Sequence, residues 1–439
     1  MFRLLLYSAV AALMPLPIQA EQTVTPTETL IRLTVSPMPA PKPALRYSLL
    51  PELKELNPGN PIANYMKCWM SQDFYAQATF ERISAAGLRQ ADLAARMDKP
   101  DWQILSKLKS DGIGLLIPDV QKIRAVAAGL KERFHREVAD NRLDDALVTA
   151  KTLFAMARHT AEHPTPIGEL VGIAITFIAI GQFEEMLERP ACPNFYWALT
   201  NLPSPFISLD KGFEGERILF CSEFKDLSDT TPMTADQIKK VIIHIDRLQM
   251  DVGKTEAQIR TLLDARAKDA VYMTAVRKRL MDYGIAEQNL QRFSTDQMIL
   301  LDERRETETR RDEELKLLKL PIWQAEELLA KIKKHKDFGV FDILLPFGQR
   351  VFRTQGRLDQ RLALLRHVEA LRIYVAEHDG KLPQKLSDFT VPLPNDPVTG
   401  KPFHYSVDGD TVHLRGTPAP TTEKLPAHNI HYEVKFRGK

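Results

Sequence analysis

The chain has 439 residues, of which 44% are hydrophobic and 26% charged, and its net charge is only +2. This composition excludes wholesale disorder and a collagen-like or low-complexity chain. The small net charge also argues against nucleic acid as the main partner. Three cysteines are too few for a disulfide framework. The length predicts two or three domains with substantial cores.

The first twenty residues are typical of a secretory signal peptide. Arg3 supplies positive charge, residues 4–13 are apolar, and Ile18-Gln19-Ala20 offers a cleavage site after Ala20. The apolar segment is too short for a stable membrane anchor, although an uncleaved N-terminal anchor is the alternative. Residues 21–44 contain five Pro and five Thr, which predicts a disordered linker. We therefore expect a periplasmic or extracellular protein without a transmembrane helix in its mature chain.

Export bears on the three cysteines, because an oxidising compartment allows two of them to pair. Cys192 and Cys221 are separated by Pro-rich sequence, which favours a disulfide between them. Cys68 lies in an apolar helical segment that suits a buried thiol. Three buried thiols without a disulfide are the alternative.

Residues 45–355 are predicted to form a helical domain, either an irregular multi-helix bundle or stacked helical hairpins. The clearest pattern covers residues 234–249, where Thr234 and Gln237 match a capping box and apolar residues recur at spacings of three and four. The same capping pattern recurs at Ser294 and Gln297.

Two further segments of this domain have distinctive compositions. The uninterrupted apolar run of residues 170–180 is about half as long as a membrane crossing and predicts a core helix. Residues 302–316 carry dense mixed charge with opposite signs one helical turn apart, for example Arg304 and Glu308. This pattern predicts a solvated helix with ion pairs along it.

Residues 356–439 predict a separate, small α+β module. An amphipathic helix over residues 358–377 ends at Asp379-Gly380. Alternating segments follow at 403–407, 410–414 and 430–436, which predict a three-stranded antiparallel sheet. The predicted fold class is therefore mainly α, followed by a module of one helix and three strands.

One candidate metal site is the segment His159-Thr160-Ala161-Glu162-His163, which matches the H-x-x-E-H pattern of inverted zinc peptidases. Two imidazoles one turn apart can hold zinc while Glu162 activates water. However, Pro164 disfavours helical geometry at His163, and no third ligand follows at a known spacing. The alternative is a polar helix end.

A second candidate metal cluster consists of His404, His413 and His431. Alternation places all three on the polar side of the predicted sheet, and a turn at Asp408-Gly409 places His404 directly opposite His413. Three imidazoles on an open face can bind a metal, and a solvated face without metal is the alternative. The sequence has no glycine-rich phosphate loop, G-x-S-x-G elbow or paired metal-binding Cys motif, so we expect no cofactor.

Short motifs follow the helix of residues 358–377, namely Gly380-Lys381-Leu382-Pro383, Leu386-Ser387-Asp388, Asn395-Asp396-Pro397, Gly400-Lys401-Pro402-Phe403 and Tyr405. In this order they resemble the soluble part of type II secretion major pseudopilins. The resemblance implies a small antiparallel sheet packed on one helix. The prepilin cleavage site and apolar N-terminal helix of that family do not precede Leu358 directly, and its calcium site is not carried over.

The whole chain also resembles a group of uncharacterised exported bacterial helical proteins, through the run Pro193-Asn194-Phe195-Tyr196-Trp197-Ala198-Leu199-Thr200-Asn201-Leu202-Pro203. This resemblance implies location and architecture but no activity. The leading hypothesis is a non-enzymatic exported protein that binds or scaffolds an unidentified protein or envelope partner, because no catalytic set converges. The alternatives are a zinc-dependent hydrolase centred on residues 159–163 and a secretion-associated factor that acts through the C-terminal module.

Overall fold

Fifteen helices and one four-stranded sheet make up the described part of the chain. The structure is a computed structural model, and it describes residues 28–68, 83–115, 117–249, 254–332, 339–341 and 348–438. The predicted signal peptide with its cleavage site after Ala20, and the first residues of the predicted linker, lie outside these residues. The predicted fold class, mainly helical with a small sheet near the C-terminus, is confirmed.

The helices of the first half are Pro61–Lys67 (α1), Ala85–Ala95 (α2), Leu105–Asp111 (α3), Pro118–Ala139 (α4), Leu143–Ala161 (α5), Pro166–Leu187 (α6) and Tyr196–Thr200 (α7). Those of the second half are Asp210–Glu223 (α8), Ala235–Gln249 (α9), Glu256–Ala267 (α10), Ala270–Asp282 (α11), Glu287–Leu290 (α12), Thr295–Leu317 (α13), Ile322–Leu329 (α14) and Gly348–Glu377 (α15). The strands are Thr29–Val35 (β1), His404–Asp408 (β2), Thr411–Arg415 (β3) and Ile430–Phe436 (β4).

The sheet has the order β1-β4-β3-β2 and is mixed, which corrects the prediction of three antiparallel strands. β1 runs parallel to β4, whereas β4, β3 and β2 pair in antiparallel fashion. Strand β1 comes from the segment predicted to be a disordered linker. Its residues alternate, and the side chains of Leu33 and Val35 are buried in the core. The Pro and Thr residues around it masked this short alternation.

The helical body and the sheet share one hydrophobic core, which extends from Leu33 on β1 to Phe436 on β4. The predicted boundary between residues 355 and 356 lies inside α15, which begins at Gly348 rather than at Leu358 and contacts α6, α7 and β4. A second core is built from α8–α13 and residues 340–341. Helices α8–α13 in the middle of the chain therefore form most of a core of their own, while residues near the two ends of the described chain share the first core.

Helix α6 lies at the centre of the first core. It has 22 residues, twice the length of the predicted apolar run, because Thr165 caps it and Pro166 occupies its first turn. By length and composition it is the one described helix that could span a membrane, and 67% of its most apolar window is buried inside the protein. Such burial is typical of a core helix.

The charged helix α13 is less solvated than predicted. The ion pair between Arg304 and Glu308 is present at 2.9 Å. However, Asp302 on the same helix is buried and accepts two hydrogen bonds, at 2.8 and 2.6 Å, from Arg279 on α11. α13 packs against α10 and α11, so one side of the charge run faces the second core.

Two predicted helix caps have different outcomes. Thr234 and Gln237 form the predicted capping box, since each side chain accepts from the backbone N–H of the other, at 3.3 and 2.7 Å. Ser294 caps α13 at 3.2 Å, but the buried Gln297 side chain instead donates to the carbonyls of Ser228 and Thr231. Gln297 therefore fastens the loop before α9.

Two glycines on α6 provide a matched test of how closely α5 and α6 approach each other. An added Cβ at Gly172 would lie 2.6 Å from the carbonyl oxygen of Ala157, whereas nothing lies within 4 Å of an added Cβ at Gly181. We expect Gly172→Ala to lower the free energy of unfolding by about 1–3 kcal/mol through overpacking. Gly181→Ala should raise it by about 0.5–1 kcal/mol through helix propensity.

Urea unfolding followed by tryptophan fluorescence measures both changes. An equal effect of the two substitutions would show that the close approach at Gly172 does not limit the packing of α5 on α6.

Candidate metal centre

Two of the three predicted sheet histidines converge on the solvent-facing side of the sheet. His413 on β3 stands directly opposite Glu433 on β4, and His431 lies two residues before Glu433 on the same face. His413 Nδ1 is 3.0 Å from His431 Nε2 and 4.0 Å from Glu433 Oε1. In the part of the chain that the structure describes, no other group of three metal-ligating side chains has its ligand atoms within 4.8 Å of one another.

Two residues on or just before β1 form hydrogen bonds to these side chains. Glu28 Oε1 lies 3.1 Å from His431 Nδ1, and Arg32 Nε donates to Glu433 Oε2 at 3.0 Å. Parallel pairing of β1 with β4 sets this arrangement, because Arg32 is the direct partner of Glu433. A carboxylate oxygen of Glu28 accepts from His431 in the tautomer that carries the proton on Nδ1, and that tautomer leaves the Nε2 lone pair towards His413.

The spacing suits a small divalent ion. Zinc bonds of about 2.0–2.2 Å in tetrahedral geometry place ligand atoms about 3.3 Å apart. The two imidazole nitrogens are 3.0 Å apart, within a few tenths of an ångström of this spacing, and Glu433 Oε1 lies 4.0 Å from His413 Nδ1, so it has to move closer to complete the ligand set. A proton between the two nitrogens can be replaced by an ion, because each neutral imidazole has one nitrogen that can act as a ligand.

Access and charge also favour ligation. The side chains of His413 and Glu433 are 18% and 25% exposed, while that of His431 is 3% exposed. Burial acts to raise the pKa of Glu433, but the hydrogen bond and positive charge of Arg32 outweigh it and hold the pKa below its ordinary value. Glu433 is therefore ionised at neutral pH, with Oε1 directed towards the histidines.

His404 does not join this cluster, which corrects the predicted arrangement. The turn residues between β2 and β3 are Gly409 and Asp410, one position later than predicted, and Gly409 adopts a φ of +58°. This change moves the register by two residues, so Ser406 faces His413 while His404 faces Arg415.

The H-x-x-E-H segment does not form a metal site, because the helix that should carry it ends too early. α5 ends at Ala161, Glu162 is its C-cap, and Pro164 follows His163. His159 and His163 therefore do not project from consecutive turns of one helix. Among the described residues they form no ligand group with Glu162.

Each side chain of that segment instead has a partner of its own. His159 Nδ1 lies 3.1 Å from the Tyr65 hydroxyl, His163 Nδ1 lies 2.8 Å from Thr165 Oγ1, and Glu162 forms an ion pair with Lys211. Burial lowers the pKa of His159 and of His163 to about 4, and the charge of Arg158 contributes at His159. Both imidazoles are therefore neutral structural groups at pH 7.

The predicted disulfide between Cys192 and Cys221 is not formed, and none of the three cysteines belongs to a disulfide. Cys192 is buried whereas Cys221 is exposed on α8, so the two do not share an environment. Burial raises the pKa of Cys68 to about 11 and that of Cys192 to about 12, which suppresses their thiolate forms.

Sequence reasoning missed Glu433, Glu28 and Arg32. The position of Glu433 offered a signal, because it follows His431 by two residues on the polar side of the same predicted strand. Glu28 and Arg32 offered none, since they reach the site only through pairing of strands about 400 residues apart.

The fold and the site together define a class, a mainly helical protein with a mixed terminal sheet that carries a histidine–carboxylate cluster. No family model, curated protein or solved structure matches this chain.

Proposed function

We propose that the protein binds a divalent transition-metal ion of the zinc class through His413, His431 and Glu433. The observation that carries the proposal is the convergence of these three ligand atoms, together with the contact between Glu28 and Nδ1 of His431. Metal-ligating histidines typically donate their second ring N–H to a carboxylate or carbonyl, which fixes the tautomer and the ring orientation.

The ligand set defines the class of ion. Two imidazoles and one carboxylate suit Zn²⁺, Cu²⁺ or Ni²⁺, whereas Ca²⁺ and Mg²⁺ prefer shells made only of oxygen. Three protein ligands leave a fourth position for water or for a donor from a partner molecule. The proposal names a ligand, a divalent transition-metal ion, for the non-enzymatic binding protein that the sequence predicts.

Zinc titration of the full chain, purified without a histidine tag, tests the proposal. We expect one zinc ion per chain, and loss of affinity by at least about 100-fold in His413→Ala or His431→Ala, because removal of a direct ligand costs more than removal of its support.

His404→Ala is the matched control, since His404 lies on the same face of the sheet but outside the cluster. It should bind zinc as the wild type does. Absence of stoichiometric zinc in the wild type, or an equal loss in His404→Ala, would contradict the proposal.

The location is part of the proposal as well. The signal-like residues 1–20 support export, and a periplasmic or extracellular site would load its metal from the surroundings of the cell. Fractionation of cells that express the full chain tests this, with retention of the intact chain in the cytoplasm as the contrary result.

A further inference from the structure

Among the described residues, the side chains bonded to His431 Nδ1 and Glu433 Oε2 come from one short segment, residues 28–32. None of the three ligands belongs to β1. However, Arg32, which bonds to Glu433, lies on β1, and Glu28, which bonds to His431, directly precedes it. We infer that metal binding and docking of β1 are cooperative, so that an ion at the centre fastens the N-terminal strand to the sheet. This inference rests on the proposed metal-binding function.

The geometry divides each ligand into an outer and an inner atom. Arg32 holds Oε2 of Glu433 and leaves Oε1 towards His413, and Glu28 holds Nδ1 of His431 and leaves Nε2 towards His413. Docked β1 therefore sets the orientation of two of the three ligands before any ion arrives. Without β1, both side chains would lose conformational entropy when they bind the ion, and this loss would weaken metal binding.

The position of β1 in the sheet makes separate release feasible. It is an edge strand, and it pairs only with β4 in the order β1-β4-β3-β2. Its backbone is tied at both ends, by Thr29 N–H to the Asn429 carbonyl at 2.8 Å and by Arg437 N–H to the Val35 carbonyl at 2.9 Å. Local opening free energies differ across a protein, and a strand with one strand neighbour has fewer backbone hydrogen bonds to break than a strand paired on both sides.

Thermodynamic linkage sets the size of the effect. Loss of an outer-shell partner typically costs about 10–100-fold in metal affinity. Reciprocity requires the ion to favour the docked state of β1 by the same factor by which docking raises the affinity. We therefore expect zinc to reduce the opening of β1 by about tenfold or more.

Hydrogen–deuterium exchange of the full chain measures this opening directly. In saturating zinc, compared with chelator, those amides of residues 29–35 that point towards β4 should exchange about tenfold or more slowly. The amides of β2, at the opposite edge of the sheet, should change much less. His413→Ala should abolish the zinc effect on β1, because it removes a ligand without touching β1.

Two outer-shell variants complete the test. Glu28→Gln and Arg32→Gln should each weaken zinc binding about tenfold, with all three ligands intact. Glu327→Gln is the matched control, since Glu327 on α14 forms an exposed ion pair with Lys331 at 3.0 Å, and it should leave the affinity unchanged. Glu28→Gln keeps the shape of the side chain, so it remains informative even if Arg32→Gln impairs folding.

The outcomes separate the two proposals. If the wild type binds zinc but β1 exchange is unchanged and both outer-shell variants bind normally, cooperativity is overturned while metal binding stands. If zinc slows exchange equally in His413→Ala, the ion acts elsewhere and cooperativity at this centre is overturned. If the wild type binds no zinc, the proposed function fails, and the inference fails with it.

Discussion

Arg372→Met is expected to destabilise the protein by about 3–5 kcal/mol, because it leaves a buried carboxylate without its counter-charge. Arg372 lies on α15 and is fully buried, and its Nη1 donates to Glu369 Oε1 at 2.8 Å. The guanidinium also donates to three backbone carbonyls, those of Ser36, Pro193 and Cys192.

The same pair joins three distant parts of the chain. Glu369 Oε2 accepts from the backbone N–H of Phe195 at 2.9 Å, and the Arg372 carbonyl accepts from Met38 N–H at 3.1 Å. The segment after β1 and the loop before α7 are thus both tied to α15. Removal of the guanidinium leaves several buried acceptors without a hydrogen-bond donor at once.

Urea unfolding followed by tryptophan fluorescence measures the loss, since Trp197 lies in helix α7 beside this network. Arg142→Met is the matched control, because the exposed Arg142 pairs with Asp140 and Asp145 at the surface, and it should change stability by no more than about 1 kcal/mol. The double variant Arg372→Met/Glu369→Leu should recover part of the loss. Equal effects of Arg372→Met and Arg142→Met would show that the buried pair contributes nothing.

Glu169→Gln is expected to remove a steep dependence of stability on pH. Glu169 is fully buried on α6, where Oε1 accepts from Gly212 N–H at 2.7 Å and Oε2 has no hydrogen-bond partner. Burial raises the pKa of Glu169 to about 9, which the Gly212 hydrogen bond only partly offsets. Among nearby charges, those of Glu216 and Asp210 also raise the pKa, and that of Lys319 lowers it.

The sign follows from proton linkage. Between the unfolded pKa of about 4.3 and the folded pKa of about 9, the native state keeps a proton that the unfolded state has released. Stability contributed by the protonated group is therefore complete below the lower value and is lost as pH rises towards the upper one, by about 1.4 kcal/mol per pH unit at most. The wild type should thus lose stability relative to Glu169→Gln between about pH 5 and about pH 9.

Unfolding free energies of the two proteins across this pH range provide the measurement. Glu132→Gln, at an exposed position on α4, serves as the control and should run parallel to the wild type. A constant difference between the wild type and Glu169→Gln would show that Glu169 is ionised in the folded protein.

Local features of the fold were predictable because they depend on neighbouring residues. The capping box of Thr234 and Gln237 and the buried face that follows are properties of one helix, and both are present. The polar face shared by His413 and His431 follows from strand alternation alone. Their distance does not follow from it, because the hairpin register depends on which residues form the turn, and the prediction was wrong by two residues.

The sequence by itself determined the helical character of the body, the ends of several helices and the polarity of the strands, since these depend on capping and periodicity within short segments. Only the tertiary structure decided that Thr29–Val35 is a strand, that α15 belongs to both the body and the sheet, and that Glu28 and Arg32 support His431 and Glu433. The physical reason is that an edge strand of seven residues gains its hydrogen bonds and buried surface from a partner about 400 residues away. No local pattern encodes such a partner, and the candidate metal centre depends on it.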